Sequence, residues 1–208
     1  MNRATLAAVV VAGVLAGIAT AYVFTRAEPA PPALERATLF AMPRPLPAIA
    51  LLDQSGQAFE LGRMRGHWTL LFFGFTNCPD VCPTTLATLA ETRRQLADLP
   101  PEGIPKVVLA TVDPARDTPA ALARYVAHFD PSFIGLTGSQ DAIDALARDL
   151  GVAVMIGAPA ADGSYTVDHS AAVFLVDPDA AFTALFSAPH DAGTIARDYR
   201  RIVAARAR

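Results

Sequence analysis

The chain begins with an uncharged, strongly apolar run at residues 4–24. As a helix, this run would be about 30 Å long, which matches the hydrocarbon core of a bilayer. We therefore predict a membrane anchor over residues 1–26. The alternative is a cleaved signal peptide with a cleavage site at residues 19–21, but the apolar region of a signal peptide is usually only about 7–15 residues long.

A proline-rich segment follows the apolar run. Residues 27–45 contain Pro29, Pro31, Pro32, Pro43 and Pro45, a composition typical of a semi-rigid, extended spacer. Residues 46–208 then form a single predicted domain. Arginine occurs on both sides of the apolar run, so charge alone does not decide which side of a membrane this domain would occupy.

Apolar runs and amphipathic stretches alternate through residues 46–208. Continuous or alternating apolar residues predict strands at residues 49–53, 58–61, 67–75, 107–112, 152–156, 165–167, 171–176 and 181–186, the last as an edge strand. Apolar residues three or four apart predict helices at residues 84–99, after Thr118, after Ser139 and at residues 191–204. The order predicts an α/β fold with a mostly parallel sheet. A turn at residues 54–57 predicts an early hairpin, and Asp162-Gly163 predicts a second, later hairpin.

Composition and charge exclude several classes of protein. Charged residues make up 18% of the chain and hydrophobic residues 52%, as expected when one segment is unusually apolar. The net charge of −3 argues against a nucleic-acid-binding protein, which would carry a basic face. The chain has only two cysteines, so it cannot supply four thiolates to a zinc ion or an iron–sulfur cluster.

Both cysteines directly follow the apolar strand predicted at residues 67–75, in the sequence Cys78-Pro79-Asp80-Val81-Cys82. Pro79 suits the first turn of a helix, so we expect the Cys78 sulfur to face the free N–H groups of the helix start, a setting that activates thiols. Ligands also commonly bind at strand ends in α/β folds. Two inert buried cysteines or a structural disulfide remain as alternatives.

The CxxxC spacing favours a metal over a disulfide. Residues four apart on a helix have Cβ atoms about 5–6 Å apart, which is too far for a disulfide without local adjustment. Two thiolates select Cu(I) or Zn(II), and because two thiolates alone do not complete a zinc site, we expect a third ligand. His169 is the best candidate because it stands just before the apolar strand at residues 171–176. The other histidines have other expected roles: His128 is packed or solvated, His67 covers the sheet edge and His190 belongs to a helix start. Met64 and Met155 could offer thioethers to Cu(I) but are expected to fill gaps in the packing.

Four segments together resemble the Sco/SenC family of thioredoxin-like copper proteins, which assist assembly of the Cu-A centre of cytochrome c oxidase. They are residues 74–85 (GFTNCPDVCPTT), 111–119 (TVDPARDTP), 135–138 (GLTG) and 167–170 (VDHS). The segments occur in the family's order and are spread over residues 74–170 of the predicted domain. The combination is specific, whereas a CxxxC pair alone is weak.

The resemblance implies a thioredoxin-like fold with an added N-terminal hairpin and an inserted hairpin, preceded by an N-terminal transmembrane helix. It implies that Cys78, Cys82 and His169 are the copper ligands. It places the domain on the periplasmic side of a bacterial inner membrane. The implied partners are the cytochrome c oxidase subunit that bears the Cu-A site and other copper carriers or thiol reductants. Asp113 or Asp117 would support the ligands from outside the metal site.

Three functions compete for the cysteine pair. The leading hypothesis is a metallochaperone that binds Cu(I) or Cu(II). The second is a membrane-anchored thiol–disulfide oxidoreductase that reduces acceptor cysteines before metallation, although CxxxC in place of the CxxC of thioredoxins counts against a general reductase. The third is a peroxidase, which the sequence disfavours because Phe75 and Pro79 stand where a peroxiredoxin has a hydroxyl residue three positions before its reactive cysteine.

Overall fold

The computed structural model describes residues 2–24, 32–158, 160 and 165–206. It contains two compact units, Met1–Ala33 and Leu34–Arg208. The first unit holds one helix, α1 (Arg3–Phe24). Over the described part of the chain, no helix combines the length and the apolar character that a membrane span requires. The membrane anchor therefore stays a prediction.

The second unit is built on an eight-stranded sheet with the order β1-β10-β9-β4-β5-β6-β2-β3. Its strands are β1 (Ala37–Pro45), β2 (Ala50–Asp53), β3 (Ala58–Glu60), β4 (Thr69–Gly74), β5 (Lys106–Thr111), β6 (Ile134–Thr137), β9 (Val173–Val176) and β10 (Ala181–Phe186). A separate two-stranded sheet pairs β7 (Val154–Ile156) with β8 (Val167–His169).

The described residues of the second unit form the α-helices α2 (Val81–Gln95), α3 (Pro119–Phe129), α4 (Gln140–Asp149) and α5 (Ala192–Arg206). Short 3-10 helices lie at Leu61–Met64 and Pro101–Gly103. The predicted caps of α3 and α4 are confirmed. The Thr118 and Ser139 hydroxyls accept hydrogen bonds from backbone N–H groups at 3.2 and 3.3 Å, respectively, which satisfies donors that the first turn leaves free.

The centre of the sheet explains why the apolar runs are continuous. All six residues of β4 are buried. This strand pairs in parallel with β5 and antiparallel with β9, and β5 pairs in parallel with β6. Strands enclosed in this way contact the core on both faces, so alternation with polar residues disappears. The sheet is nevertheless mixed rather than mostly parallel, because the hairpin strands and β1 all join antiparallel.

The spacer prediction for residues 27–45 is wrong over its second part. Residues 37–45 form strand β1, which pairs antiparallel with β10. Its prolines Pro43 and Pro45 lie on an edge strand, where a missing N–H breaks no essential ladder bond. Because β1 covers β10, the prediction that residues 181–186 form the edge strand is also wrong.

A buried carboxylate fixes the start of the second unit. Asp198 of α5 is fully buried and accepts hydrogen bonds from the backbone N–H groups of Glu35, Arg36 and Ala37 at 2.8–2.9 Å. These bonds hold the chain where it enters β1, so the folded unit begins before the predicted boundary at residue 46.

Both predicted hairpins are present. β2 and β3 pair antiparallel around the tight turn at residues 54–57, where the Asp53 carboxylate accepts from Ser55 N–H at 2.9 Å. β7 and β8 also pair antiparallel, although the Asp162-Gly163 turn predicted between them lies outside the described residues. This second hairpin brings His169 to the end of β8.

Candidate metal centre

The loop between β4 and α2 places the two cysteines. Cys78 N–H donates to the Phe75 carbonyl at 3.3 Å, closing a turn directly after β4. Because residues 75–78 form this turn, Pro79 is not helical, and the helix begins at Val81 with Asp80 as its N-cap. The predictions that Pro79 lies in the first turn and that the helix begins at residue 84 are therefore wrong; Pro83 occupies the first turn instead.

The sulfur of Cys78 nevertheless faces the start of α2, as the sequence predicted. Cys82 N–H donates to the Cys78 Sγ atom at 3.4 Å, so this sulfur occupies a position that a capping oxygen usually takes. Cys78 is half-buried and Cys82 is buried, and both are free cysteines. The pair is thus held by the first turn of a helix rather than by a disulfide.

The environment of Cys82 keeps its thiol protonated in the absence of metal. Burial, a hydrogen bond with Cys78 and the nearby charge of Cys78 together raise the pKa of Cys82 well above that of an ordinary thiol. Desolvation disfavours the thiolate because it removes the water that would stabilise the charge. A metal that binds Cys82 must therefore displace its proton.

His169 approaches the same sulfur from β8. Its Nε2 atom lies 3.4 Å from Cys82 Sγ, and its Nδ1 atom lies 3.0 Å from the Ser170 carbonyl oxygen. Because a carbonyl only accepts, Nδ1 carries the proton and Nε2 offers its lone pair. Burial lowers the pKa of His169, which favours the neutral imidazole that binds metals.

Two aromatic rings enclose the imidazole. The ring centroids of Phe72 and Phe75 lie 5.9 and 6.0 Å from that of His169, both in edge-to-face geometry. Phe72 belongs to the buried strand β4 and Phe75 to the loop that follows it. The apolar walls explain the desolvation of His169 and restrict the rotation of its ring.

The three predicted ligands come together. One ligand atom each from Cys78, Cys82 and His169 lie within 4.8 Å of one another, and no other such group of three or more His, Cys, Asp or Glu residues occurs among the described residues. With metal–ligand bonds of about 2.0–2.3 Å, atoms bound to one ion are at most about 4.6 Å apart. The donor set of two sulfurs and one nitrogen therefore fits a soft metal ion after a small adjustment.

The remaining histidines lie outside this cluster, as predicted. The Nε2 atoms of His67 and His190 lie 3.0 and 2.7 Å from the carbonyl oxygens of Arg63 and Ala171. His128 is exposed beside Phe129. Met64 is buried in the core, as predicted, whereas Met155 is 67% exposed, so the prediction that Met155 fills a gap in the packing is wrong.

Asp117 holds the loop that carries Cys78. Its buried carboxylate accepts hydrogen bonds from the Thr76 backbone N–H at 3.1 Å, the Thr76 hydroxyl at 2.5 Å and the Thr111 hydroxyl at 2.6 Å. These bonds join the end of β5 to the loop after β4. The carboxylate thus supports the thiols from outside the cluster.

Sequence reasoning missed Tyr125 of α3. Its buried hydroxyl has no hydrogen-bond partner among the described residues. Burial and the charges of Cys82, Cys78 and Asp117 raise the pKa of Tyr125, which places the phenol in the electrostatic environment of the thiols. In the sequence it looks like an ordinary apolar position of an amphipathic helix, and no local signal marks it.

Comparison with protein families decides where the chain belongs. The family model described as SCO1/SenC matches residues 47–204. The chain belongs to the SCO1/SenC family. A mitochondrial SCO2 homologue from Bos taurus is 44% identical over 158 residues, which cover 75% of this chain and 59% of that protein. The match thus spans about three fifths of the length of that relative.

Solved Sco structures share the fold. ScoI of Arabidopsis thaliana with copper bound superposes with a TM-score of 0.71 at 32% identity, covering 76% of this chain and 97% of that chain. ScoI of Bradyrhizobium japonicum with copper bound gives a TM-score of 0.68 at 35% identity, covering 76% and 99%. The predicted thioredoxin-like α/β fold of the domain is therefore confirmed as the Sco fold.

Proposed function

We propose that Cys78, Cys82 and His169 bind copper. The observation that carries this proposal is the convergence of two free sulfurs and one imidazole nitrogen within 4.8 Å. Thiolate ligands favour Cu(I), and an imidazole nitrogen also suits Cu(II). The copper-bound Sco relatives support the choice of copper over zinc.

The copper is cargo in this proposal, and the protein is a metallochaperone that delivers it to the Cu-A site of cytochrome c oxidase. Cys78 is only partly buried and its neighbour Val81 is 46% exposed, so an acceptor can reach the metal from the side of the loop. Other copper carriers or thiol reductants would load or reduce the site. Residues 1–26 would anchor the domain on the periplasmic face of a bacterial inner membrane.

Titration of the anaerobically reduced full chain with Cu(I) and Cu(II) tests the site. We expect Cys78→Ser and Cys82→Ser each to weaken copper binding at least about 100-fold, more than the loss of an outer partner usually costs. His169→Ala should weaken Cu(II) binding and change its absorption spectrum. His128→Ala is the matched control, since His128 is exposed and outside the cluster. If His169→Ala binds Cu(II) with the native affinity and spectrum, the three-ligand site is wrong.

A second candidate function is reduction of a disulfide between acceptor cysteines by the same pair: the acceptor gains two thiols, and Cys78 and Cys82 become a disulfide. The contact of 3.4 Å between Cys82 N and Cys78 Sγ brings the two cysteines close without a disulfide. Cys78 would attack because it is the more exposed thiol, whereas burial raises the pKa of Cys82. An insulin-reduction assay with the copper-free protein separates the functions: rapid turnover favours the reductase, and background turnover favours the metallochaperone.

A further inference from the structure

The strand that carries His169 has little support from its own sheet. β7 and β8 contain three residues each and pair only with one another in the described part of the chain. We call these two strands the histidine arm. A two-stranded sheet of this size is at best marginally stable in water. Met155 and Ile156 of β7 are 67% and 50% exposed, so packing of their side chains does little to hold the arm.

Tyr165 ties the arm to the main sheet just before β8 begins. Its hydroxyl donates to Asp113 Oδ1 at 2.6 Å. The Arg116 guanidinium lies over the Tyr165 ring, 3.8 Å from its centroid, and pairs with the other carboxylate oxygen of Asp113. The hydrogen bond to the charged carboxylate and the cation–π contact with the guanidinium both restrict the position of the Tyr165 ring.

A buried carboxylate anchors this cluster, which consists of Asp113, Arg116 and Tyr165. Asp113 is 2% exposed, and its backbone N–H donates to the Thr111 hydroxyl at 2.9 Å. The same hydroxyl donates to Asp117, which holds the loop before Cys78. One polar network therefore reaches both the loop of the thiols and the strand of the histidine.

A second contact runs from the cluster toward the imidazole. The Arg116 guanidinium carbon lies 5.9 Å from the centroid of the Phe75 ring, and that ring packs edge-to-face on His169. Arg116 thus contacts the arm through Tyr165 and the wall of the metal centre through Phe75. Movement of the arm away from the thiols would disturb the contact of Tyr165 with Arg116 and that of His169 with Phe75.

We propose that Asp113, Arg116 and Tyr165 form a positioning clamp that sets the distance of His169 from the two thiols and so controls binding of Cu(II) relative to Cu(I). This inference rests on the proposed copper site. Two thiolates suffice to hold Cu(I), whereas Cu(II) needs the imidazole. Loosening the clamp therefore weakens Cu(II) binding and leaves Cu(I) binding in place. The three members are positioning residues, since none lies among the three ligands.

Tyr165→Phe in the full chain is the sharpest test, because it keeps the ring under Arg116 and removes only the hydroxyl. We expect Cu(II) affinity to fall about 10-fold, in the range typical for partners outside the ligand shell, with weaker nitrogen coupling in the Cu(II) EPR spectrum. Cu(I) affinity should change less than about twofold, because both thiols stay in place. Tyr199→Phe is the matched control: its hydroxyl donates to the Gly103 carbonyl at 2.7 Å, and Tyr199 belongs to α5. It should leave both affinities unchanged.

Two outcomes with copper overturn the clamp: unchanged Cu(II) affinity and spectrum in Tyr165→Phe, or equal weakening of both ions. If the native chain binds neither ion, the proposed function is wrong, and the clamp needs a test without copper. Hydrogen exchange of the copper-free chain is that test. Faster exchange at residues 167–170 in Tyr165→Phe than in Tyr199→Phe supports it. Equal exchange in the two variants overturns it.

Discussion

The two sides of the metal centre are built in different ways. The thiol side comprises β4, the loop after it and the start of α2. All six residues of β4 are buried, as are Phe75 and Cys82, whereas residues 76–81 between them are partly or fully exposed. The histidine arm comprises two strands of three residues with exposed side chains on β7. Cys82 is 0% exposed, whereas His169 keeps partial contact with solvent.

The difference teaches that a metal site can be half rigid and half adjustable. The cysteines are placed by packing that the whole domain needs in order to fold. His169 is placed on a separate two-stranded sheet, by the hydrogen bond of Tyr165 to Asp113, the burial of Val167 and the rings of Phe72 and Phe75. Substitutions on the thiol side should therefore reduce the free energy of unfolding, and substitutions on the arm should act mainly on the third ligand.

The largest effect is expected where the main sheet is tied to α5. Asp198→Ala leaves the backbone N–H groups of Glu35, Arg36 and Ala37 without their acceptor. A lost partner of a buried donor costs about 1–3 kcal/mol. The three donors belong to exposed or half-buried residues, so each loss counts at the lower end, and the unfolding free energy should fall by about 3 kcal/mol in total. Urea unfolding of the copper-free full chain measures this loss.

Asp98→Ala is the control for this measurement. Asp98 pairs with Arg200, but its side chain is 69% exposed, and an exposed ion pair contributes less than about 1 kcal/mol. Equal losses in the two variants would show that residues 35–37 are not part of the folded unit.

The next effect concerns the packing beneath Cys82. A Cβ atom on Gly74 would lie 3.0 Å from Cys82 Sγ, Leu109 Cδ1 and Phe72 Cε1. All three side chains are fully buried, so Gly74→Ala should lower the unfolding free energy by about 2 kcal/mol. It should also weaken Cu(I) binding, because the displaced atom is a proposed ligand.

Gly135→Ala offers a matched steric control away from the cysteines. Its Cβ would lie 2.9 Å from Leu122 Cβ, between β6 and α3. We expect a similar loss of stability with unchanged copper affinity. Weaker Cu(I) binding in both variants would mean that general destabilisation, and not displacement of Cys82, affects the metal.

Much of the thiol side could be predicted from local sequence. The continuous apolar run around β4 is a signal carried by neighbouring residues. The motif around Cys78 and Cys82 added a family resemblance that also selected His169. The start of α2 was predicted wrongly because the residues from Phe75 to Cys78 form a turn, closed by the hydrogen bond from the Cys78 N–H to the Phe75 carbonyl. The helix therefore begins only after Asp80.

The remaining features depend on contacts between distant segments. Asp198 accepts hydrogen bonds from residues more than 160 positions away, and the sequence around Asp198 gives no local signal of this contact. β1 was hidden because its prolines are typical of a spacer, and only its pairing with β10 makes it a strand. Tyr165 meets Asp113 across 52 positions, so the clamp emerges only when the chain has folded.

The smallest effect should come from the histidine arm itself. Gly157 follows β7, and its N–H donates to the Thr166 carbonyl at 2.8 Å. A Cβ at this position would lie 2.6 Å from Thr166 Oγ1, but Thr166 is exposed and its side chain can rotate away. Gly157→Ala should therefore change the unfolding free energy by less than about 0.5 kcal/mol. A loss in urea unfolding as large as that of Gly74→Ala would mean that the arm is packed as tightly as the core, and the contrast between the two sides would no longer hold.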